Sequence, residues 1–321
     1  MKRVLVSTLL LMLFTCPAFA QAEEADNSEA FPIGHGHGPA YVDVLDKVLS
    51  RTIKAARFKK YGTHELERAK LYCSDKRAVE IFALLAGIEK KLSNSFPACL
   101  SNATHPRATL FVVTDDARAF KAFFRTLMRS YDQQWPGYAE GVDLQENTEF
   151  WIMSNAVVIN GAAFADAESL LPVLAFGWGY MTISQTSDFA CPEALATGFG
   201  NALEARVTGR PSVTLLPDSG EEEDDKQIDD WSQFMATELA NDELDSFATV
   251  FDWTVTDMQH RDYAVSWSLV EDLLKDPLML YAMLKQSSTE TDTPATDLLT
   301  QAYSTDLESM RKRWVESIKN Q

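Results

Sequence analysis

The chain has 321 residues, with 29 Lys and Arg against 47 Asp and Glu, a net charge of −18. So acidic a balance argues against a protein that neutralises nucleic-acid phosphates or docks on anionic lipid, since both need basic surface. With 46% hydrophobic residues the chain has material for a substantial core, arranged as one large domain or two.

The first element in chain order is Met1-Lys2-Arg3, followed by an almost wholly apolar run from Val4 to Phe14 and by Ala18-Phe19-Ala20. A basic start, an apolar stretch of about 10 residues and a small-x-small end are the parts of a secretory signal. The run is shorter than the roughly 20 residues a bilayer span needs. Cys16 raises a lipoprotein alternative, but Thr15 stands where such signals usually carry Gly, Ala or Ser. The expectation is cleavage after Ala20 and export to the periplasm or beyond, leaving a mature charge of −20 once Lys2 and Arg3 are removed. No later apolar stretch is long enough to span; Ser169 to Ile183 comes nearest and holds Pro172 and two glycines.

Residues 21–40 are polar, acidic and Gly-rich, the composition of a flexible leader. Within them Gly34-His35-Gly36-His37-Gly38 offers two imidazoles that suit copper or nickel. Two ligands on a Gly-rich run make at most a weak metal-binding module.

Apolar residues at Val42, Val44, Leu45, Val48, Leu49 and Ile53 recur at helical spacing. His64-Glu65-Leu66-Glu67-Arg68 has the look of half a zinc motif, but Arg68 cannot ligate, and the stretch reads as a polar turn. A strand is predicted over 69–73. A helix to about residue 95 follows it, with Asp75 as N-cap and Val79, Phe82, Leu84, Leu85, Ile88 and Leu92 on its apolar face. Further strands are predicted over 108–113, 149–153 and 156–159, the last two joined by a Ser154-Asn155 turn, with a helix over 116–129. Beyond residue 166 the pattern is helical, over 168–183, 192–207, 231–240, 262–274, 277–285 and 305–319, interrupted by an acidic run at 218–230. Strands and helices first and helices alone afterwards define an α+β class: a strand-rich N-terminal half with a mixed sheet, residues 41–190, and a helical C-terminal half, 191–321.

Three cysteines remain after the signal. Cys73 ends a predicted strand and Cys99 follows the next helix, so that pair suits one disulfide in an oxidising compartment; three buried thiols, with Cys191, are the alternative.

The most informative stretch runs Leu174-Ala175-Phe176-Gly177-Trp178-Gly179-Tyr180, followed by Pro192-Glu193 and Thr197-Gly198. Here the chain resembles the gluzincin-type, peptidase-MA-like metallopeptidases. In that family a helix carrying L-A-H-E-x-x-H lies behind a strand-rich half, and a second helix carries E-G. Two imidazoles at i and i+4 share a helical face and reach one zinc, the intervening Glu polarises its water, and the second helix adds a carboxylate. The frame is present, but Phe176 and Tyr180 stand at the histidine positions, Gly177 at the general base and Thr197 at the carboxylate ligand. No histidine lies between His105 and His260. The order of the predicted elements, the Tyr263-to-Leu274 segment and the ending from Leu307 to Trp314 resemble the same branch. The resemblance implies a zincin-like fold that has lost its metal, hence no cofactor, no catalytic set, and an unidentified peptide or protein as partner. An ordinary buried helix over 170–183 that never held a metal is the competing account, and Gly177 and Gly179 then need a packing reason.

Weaker candidates for the same cleft are Glu193, Trp178 and Tyr263. Glu193, one turn before Thr197, and the Tyr180 phenol together suit a metal-independent acid–base pair, which keeps an enzyme open as an alternative. Neither G-x-S-x-G nor a phosphate loop occurs.

Overall fold

In the computed structural model of the chain, the described residues are 39–56, 58, 60–97, 108–134, 148–153, 156–215, 228–254 and 258–320. The segment read as an export signal, most of the one read as a leader with His35 and His37, Cys99, residues 154–155 expected to form a turn and most of the acidic run lie outside them. Cys73 is a buried free thiol whose Sγ donates to Ser74 O at 3.4 Å.

The apolar runs at 69–74, 109–114 and 156–160 become the centre of a mixed sheet because both their faces are covered. Strand β1 is Tyr61–Glu65, β2 Ala69–Ser74, β3 Thr109–Thr114, β4 Phe150–Met153 and β5 Ala156–Asn160. Their order is β1-β2-β3-β5-β4. The three central strands run parallel, and the outer strands β1 and β4 are antiparallel to their neighbours. The fold class is therefore α+β with a mixed sheet, as the element order suggests.

Alternate side chains divide between two cores. Tyr72, Leu110, Val112, Ala156 and Val158 face helices α1 (Pro39–Ala56) and α3 (Ala117–Gln134). Leu71, Cys73, Phe111, Val113, Val157 and Ile159 face the larger core, which includes α2 (Asp75–Ser95) and α4 (Leu171–Thr186). Around these pack α5 (Glu193–Thr208), α6 (Trp231–Ala240), α7 (Phe247–Phe251), α8 (His260–Leu273), α9 (Pro277–Ser287), α10 (Ala295–Tyr303) and α11 (Leu307–Lys319). Among the described residues no helix is long and apolar enough to cross a membrane.

Several expectations are corrected. Of the stretch 64–68 read as a polar turn, only 66–68 make the turn to β2; His64 and Glu65 belong to the edge strand β1, which needs partners on one side only and so carries no apolar signature. Helix α1 starts at Pro39, inside the segment read as leader. Ser74, not Asp75, holds the cap position of α2. Val79 is 80% exposed, because the buried stripe of α2 runs through Ala78, Ile81, Leu85, Ile88 and Leu92. The short helices α7 and α10 have no counterpart in the sequence reading.

The helical half is tied by buried polar pairs. Asp272, 1% exposed, accepts from Arg313 Nε at 2.9 Å and Lys275 Nζ at 3.1 Å, linking α8 to α11. Trp314 Nε1 donates to Ser268 Oγ at 3.0 Å beside them. Glu204 is wholly buried and accepts from Ser212 Oγ at 2.6 Å and Val213 N at 3.1 Å, which fixes the chain leaving α5.

Candidate functional site

Helix α4 is apolar on all sides, with hardly a polar side chain before its last two turns, and so sits inside the molecule. Its glycines have a packing reason. A Cβ on Gly177 would lie 2.9 Å from both methyl carbons of Val157 on β5, and one on Gly179 would lie 2.8 Å from Phe199 O of α5. Gly198 brings α5 equally close to α8 at the Ser266 carbonyl. These approaches let α4 press against the sheet on one side and α5 on the other.

Phe176 is fully buried. Its ring meets Phe150 of β4 edge-on at 6.3 Å, Tyr180 at 6.2 Å and the flat face of Gly200. Trp178 is 1% exposed and stacks edge-on against Phe111 of β3 at 5.6 Å, so it is core rather than cleft lining. Thr197 is buried too, and its hydroxyl donates to Glu193 O at 2.9 Å. It also reaches Ala194 O at 3.2 Å and Met258 Sδ at 4.0 Å.

Tyr180 is half-buried at the end of this packed region. Burial, and then the charge of Glu193, push its phenol well above the ordinary range. Tyr263 on α8 is fully buried and its hydroxyl accepts from Leu215 N at 3.2 Å. Burial raises it, that N–H works against the shift, and Glu193 raises it further. Burial also drives the Cys191 thiol up to about 11; the Ser187 hydroxyl opposes this and Glu193 adds to it. Glu193, in the first turn of α5, is thus within electrostatic reach of Tyr180, Cys191 and Tyr263.

The turn that carries Cys191 and Glu193 is strained. Asp188 and Phe189 both have left-handed backbone, with φ of 50° and 63°. Such a conformation is unusual for a bulky side chain and is held here by Phe189 N donating to Ser184 O at 2.6 Å.

The structure therefore brings Phe176 and Tyr180 together and sets Tyr180 beside Glu193 and Tyr263. It turns Gly177 toward the sheet, Trp178 into the core and the Thr197 hydroxyl onto its own helix. Sequence reasoning did not single out Phe150, Gly200, Met258 or Cys191 for this region; the Gly177-x-Gly179 and Gly198-x-Gly200 spacings were the signs of close packing. Among the described residues no group of three or more His, Cys, Asp or Glu is placed to hold a metal ion. Comparison with protein-family models, curated proteins and solved structures finds no match for the chain.

Proposed function

We propose that this is an exported pseudopeptidase: a chain with the frame of a gluzincin-type zinc peptidase, without its metal, that binds a peptide or protein segment. The observation that carries this reading is the pairing of α4 with α5. Phe176 and Tyr180, at the positions of the two family histidines, lie one turn apart on α4; Phe176 packs on Gly200 of α5 and Tyr180 is within electrostatic reach of Glu193, while the hydroxyl of Thr197, at the carboxylate position, bonds its own helix. A carboxylate donated from α5 toward two imidazoles on α4 would need this approach of the two helices. Beside it lies β4, a sheet edge whose Phe150 touches Phe176, and a sheet edge can take an extended peptide as a further strand.

The electrostatics favour binding over metal-free catalysis. An acid–base group works best with a pKa near the ambient pH. Tyr180 and Tyr263 are both driven the other way, so each remains a protonated hydrogen-bond donor. Glu193 and the Tyr180 phenol, both half-buried, suit recognition of a polar group on a bound chain.

The decisive experiment is metal content together with hydrolysis of a broad peptide library by the purified protein. The expectation is no stoichiometric zinc and no chelator-sensitive cleavage. Near-stoichiometric zinc with cleavage abolished by chelation overturns the proposal. Export is tested by N-terminal sequencing of the protein recovered from cells, with Gln21 expected first.

A further inference from the structure

The overall charge of −18 conceals a strongly basic face. Helices α1 and α3 cover the same side of the sheet, with Val48 and Leu49 of α1 and Phe120, Phe123, Phe124, Leu127 and Met128 of α3 turned inward. Outward, α1 presents Lys47, Arg51 and Lys54, and α3 presents Arg118, Arg125 and Arg129, all exposed, with Lys121 half-buried between them. The two helices hold seven basic residues and three acidic ones (Asp43, Asp46 and Asp132), a net of +4. The sequence extends the basic run through Arg57, Lys59 and Lys60 with no acid between Arg51 and Lys60. None of the seven forms an ion pair among the described residues, although the chain has acids in excess. The carboxylates at the start of α3 are engaged locally. Asp115 accepts from Ser74 Oγ at 2.7 Å and Asp116 accepts from Ala119 N at 2.7 Å.

We propose that the α1/α3 face docks the protein on an anionic bilayer surface. Arg118 to Arg129 extends about 16 Å along α3 and Lys47 to Lys54 about 10 Å along α1, from the helical rise. Two helices lying side by side on a sheet make a broad face of low relief, which matches a plane of headgroup phosphates. No large exposed apolar side chain lies on either helix among the described residues; the exposed ones are Val79, Leu278 and Met279. Attachment is therefore electrostatic and reversible, without insertion. The described side chains of the two helices, residues 47–56 and 117–133, include no exposed aromatic to serve as the stacking platform that single-stranded nucleic acid uses. The described acidic residues of the helical half do not prevent docking. Charges more than about 8 Å away are largely screened at physiological salt, and the sheet and the larger core stand between.

The test is co-sedimentation of the full chain with vesicles of phosphatidylcholine containing 30% phosphatidylglycerol, against vesicles of phosphatidylcholine alone. Binding is expected to the first only, and to disappear when salt is raised from about 0.15 to 0.5 M. The triple variant Arg118→Gln, Arg125→Gln, Arg129→Gln should bind on the order of 100-fold more weakly, given about 5-fold for each of three basic residues near a charged surface. Its melting curve serves as the folding control. Lys90→Gln with Lys91→Gln, exposed on α2 across the sheet, should bind as the unmodified chain does. Equal binding to both vesicles, no binding to either, or an unaffected triple variant overturns the proposal. So does displacement of the protein from anionic vesicles by short duplex DNA at the same salt with tighter affinity for the DNA, which assigns the face to nucleic acid.

Discussion

Phe176 and Gly200 fit each other across the α4–α5 interface: a Cβ on Gly200 would lie 2.8 Å from ring Cδ2, 2.9 Å from Cε2 and 2.9 Å from the Phe176 carbonyl oxygen. The aromatic side chain of Phe176 thus occupies space that only a glycine on the facing helix leaves open.

Gly200→Ala should therefore destabilise the protein by about 1–3 kcal/mol through overpacking, despite the higher helix propensity of alanine. Phe176→Leu should relieve part of that cost by removing the ring edge, and the remainder belongs to the carbonyl contact. A double-mutant cycle in urea measures the coupling, and additivity of the two changes would contradict the packing described.

How much of this was legible in the sequence depends on what each residue faces. The strands at 69–74, 109–114 and 156–160 were readable because burial on both faces demands continuous apolar runs. The edge strand with His64 was not, because its outward side asks for nothing apolar. The stripe of α2 was misread at Val79, since Ala78 supplies the contact and alanine gives a weak signal. At the candidate site, the approach of α4 and α5 was marked by paired glycines, but what each glycine faced was not. That Gly177 points at Val157 and Gly179 at Phe199 depends on rotation of α4 about its axis, which an all-apolar helix does not encode by periodicity. The family resemblance put Tyr180, Glu193 and Tyr263 in one cleft, but that Cys191 joins them depends on a turn with two left-handed residues that are not glycine, which no turn rule selects. The basic face was hidden by counting charge over the whole chain.

Glu204 should give a pH-dependent contribution to stability. Burial lifts its carboxyl above its ordinary value, against the hydrogen bonds from Ser212, Val213 and Asn201. A folded-state value above the unfolded one means that the folded form binds the proton more tightly. The favourable contribution is then complete below the unfolded value and is lost as pH rises through the folded one. Glu204→Gln removes this titration. The stability of the unmodified chain relative to that variant should fall as pH is raised from about 4.5 toward neutrality. Melting temperatures across that range check the sign, and a rising difference would be inconsistent with the shift.

The described cysteines should be chemically quiet in the folded protein. Burial carries Cys191 up to about 11 and Cys73 up to about 12. At pH 8 the thiolate fraction of Cys191 is then about one part in a thousand, and thiolate is the reactive form. Iodoacetamide should leave both residues unmodified in native protein and label both in urea, as read by peptide mass spectrometry. Native-state labelling of Cys191 at a rate typical of a free thiol would show that the site around Tyr180 and Glu193 is open to solvent.

Restoring the missing ligands separates the lost-metal account from plain helix packing. Under the proposal, Phe176→His, Tyr180→His and Thr197→Glu together should bind one zinc per chain, measured by dialysis and metal analysis of a variant that retains its helical circular dichroism. A folded variant that takes up no zinc would mean that α4 and α5 never formed the family site. Even a zinc-loaded variant should not hydrolyse peptides, because position 177 still lacks a general base. Adding Gly177→Glu should not supply one at no cost. Its Cβ meets both Val157 methyl carbons at 2.9 Å, so the change should destabilise by about 1–3 kcal/mol. Val157→Ala opens that position and should recover part of the loss. Rescue by Val157→Ala but not by an alanine elsewhere on β5 ties the barrier to this one contact. It would also mean that regaining the chemistry requires repacking α4 on the sheet as well as replacing side chains.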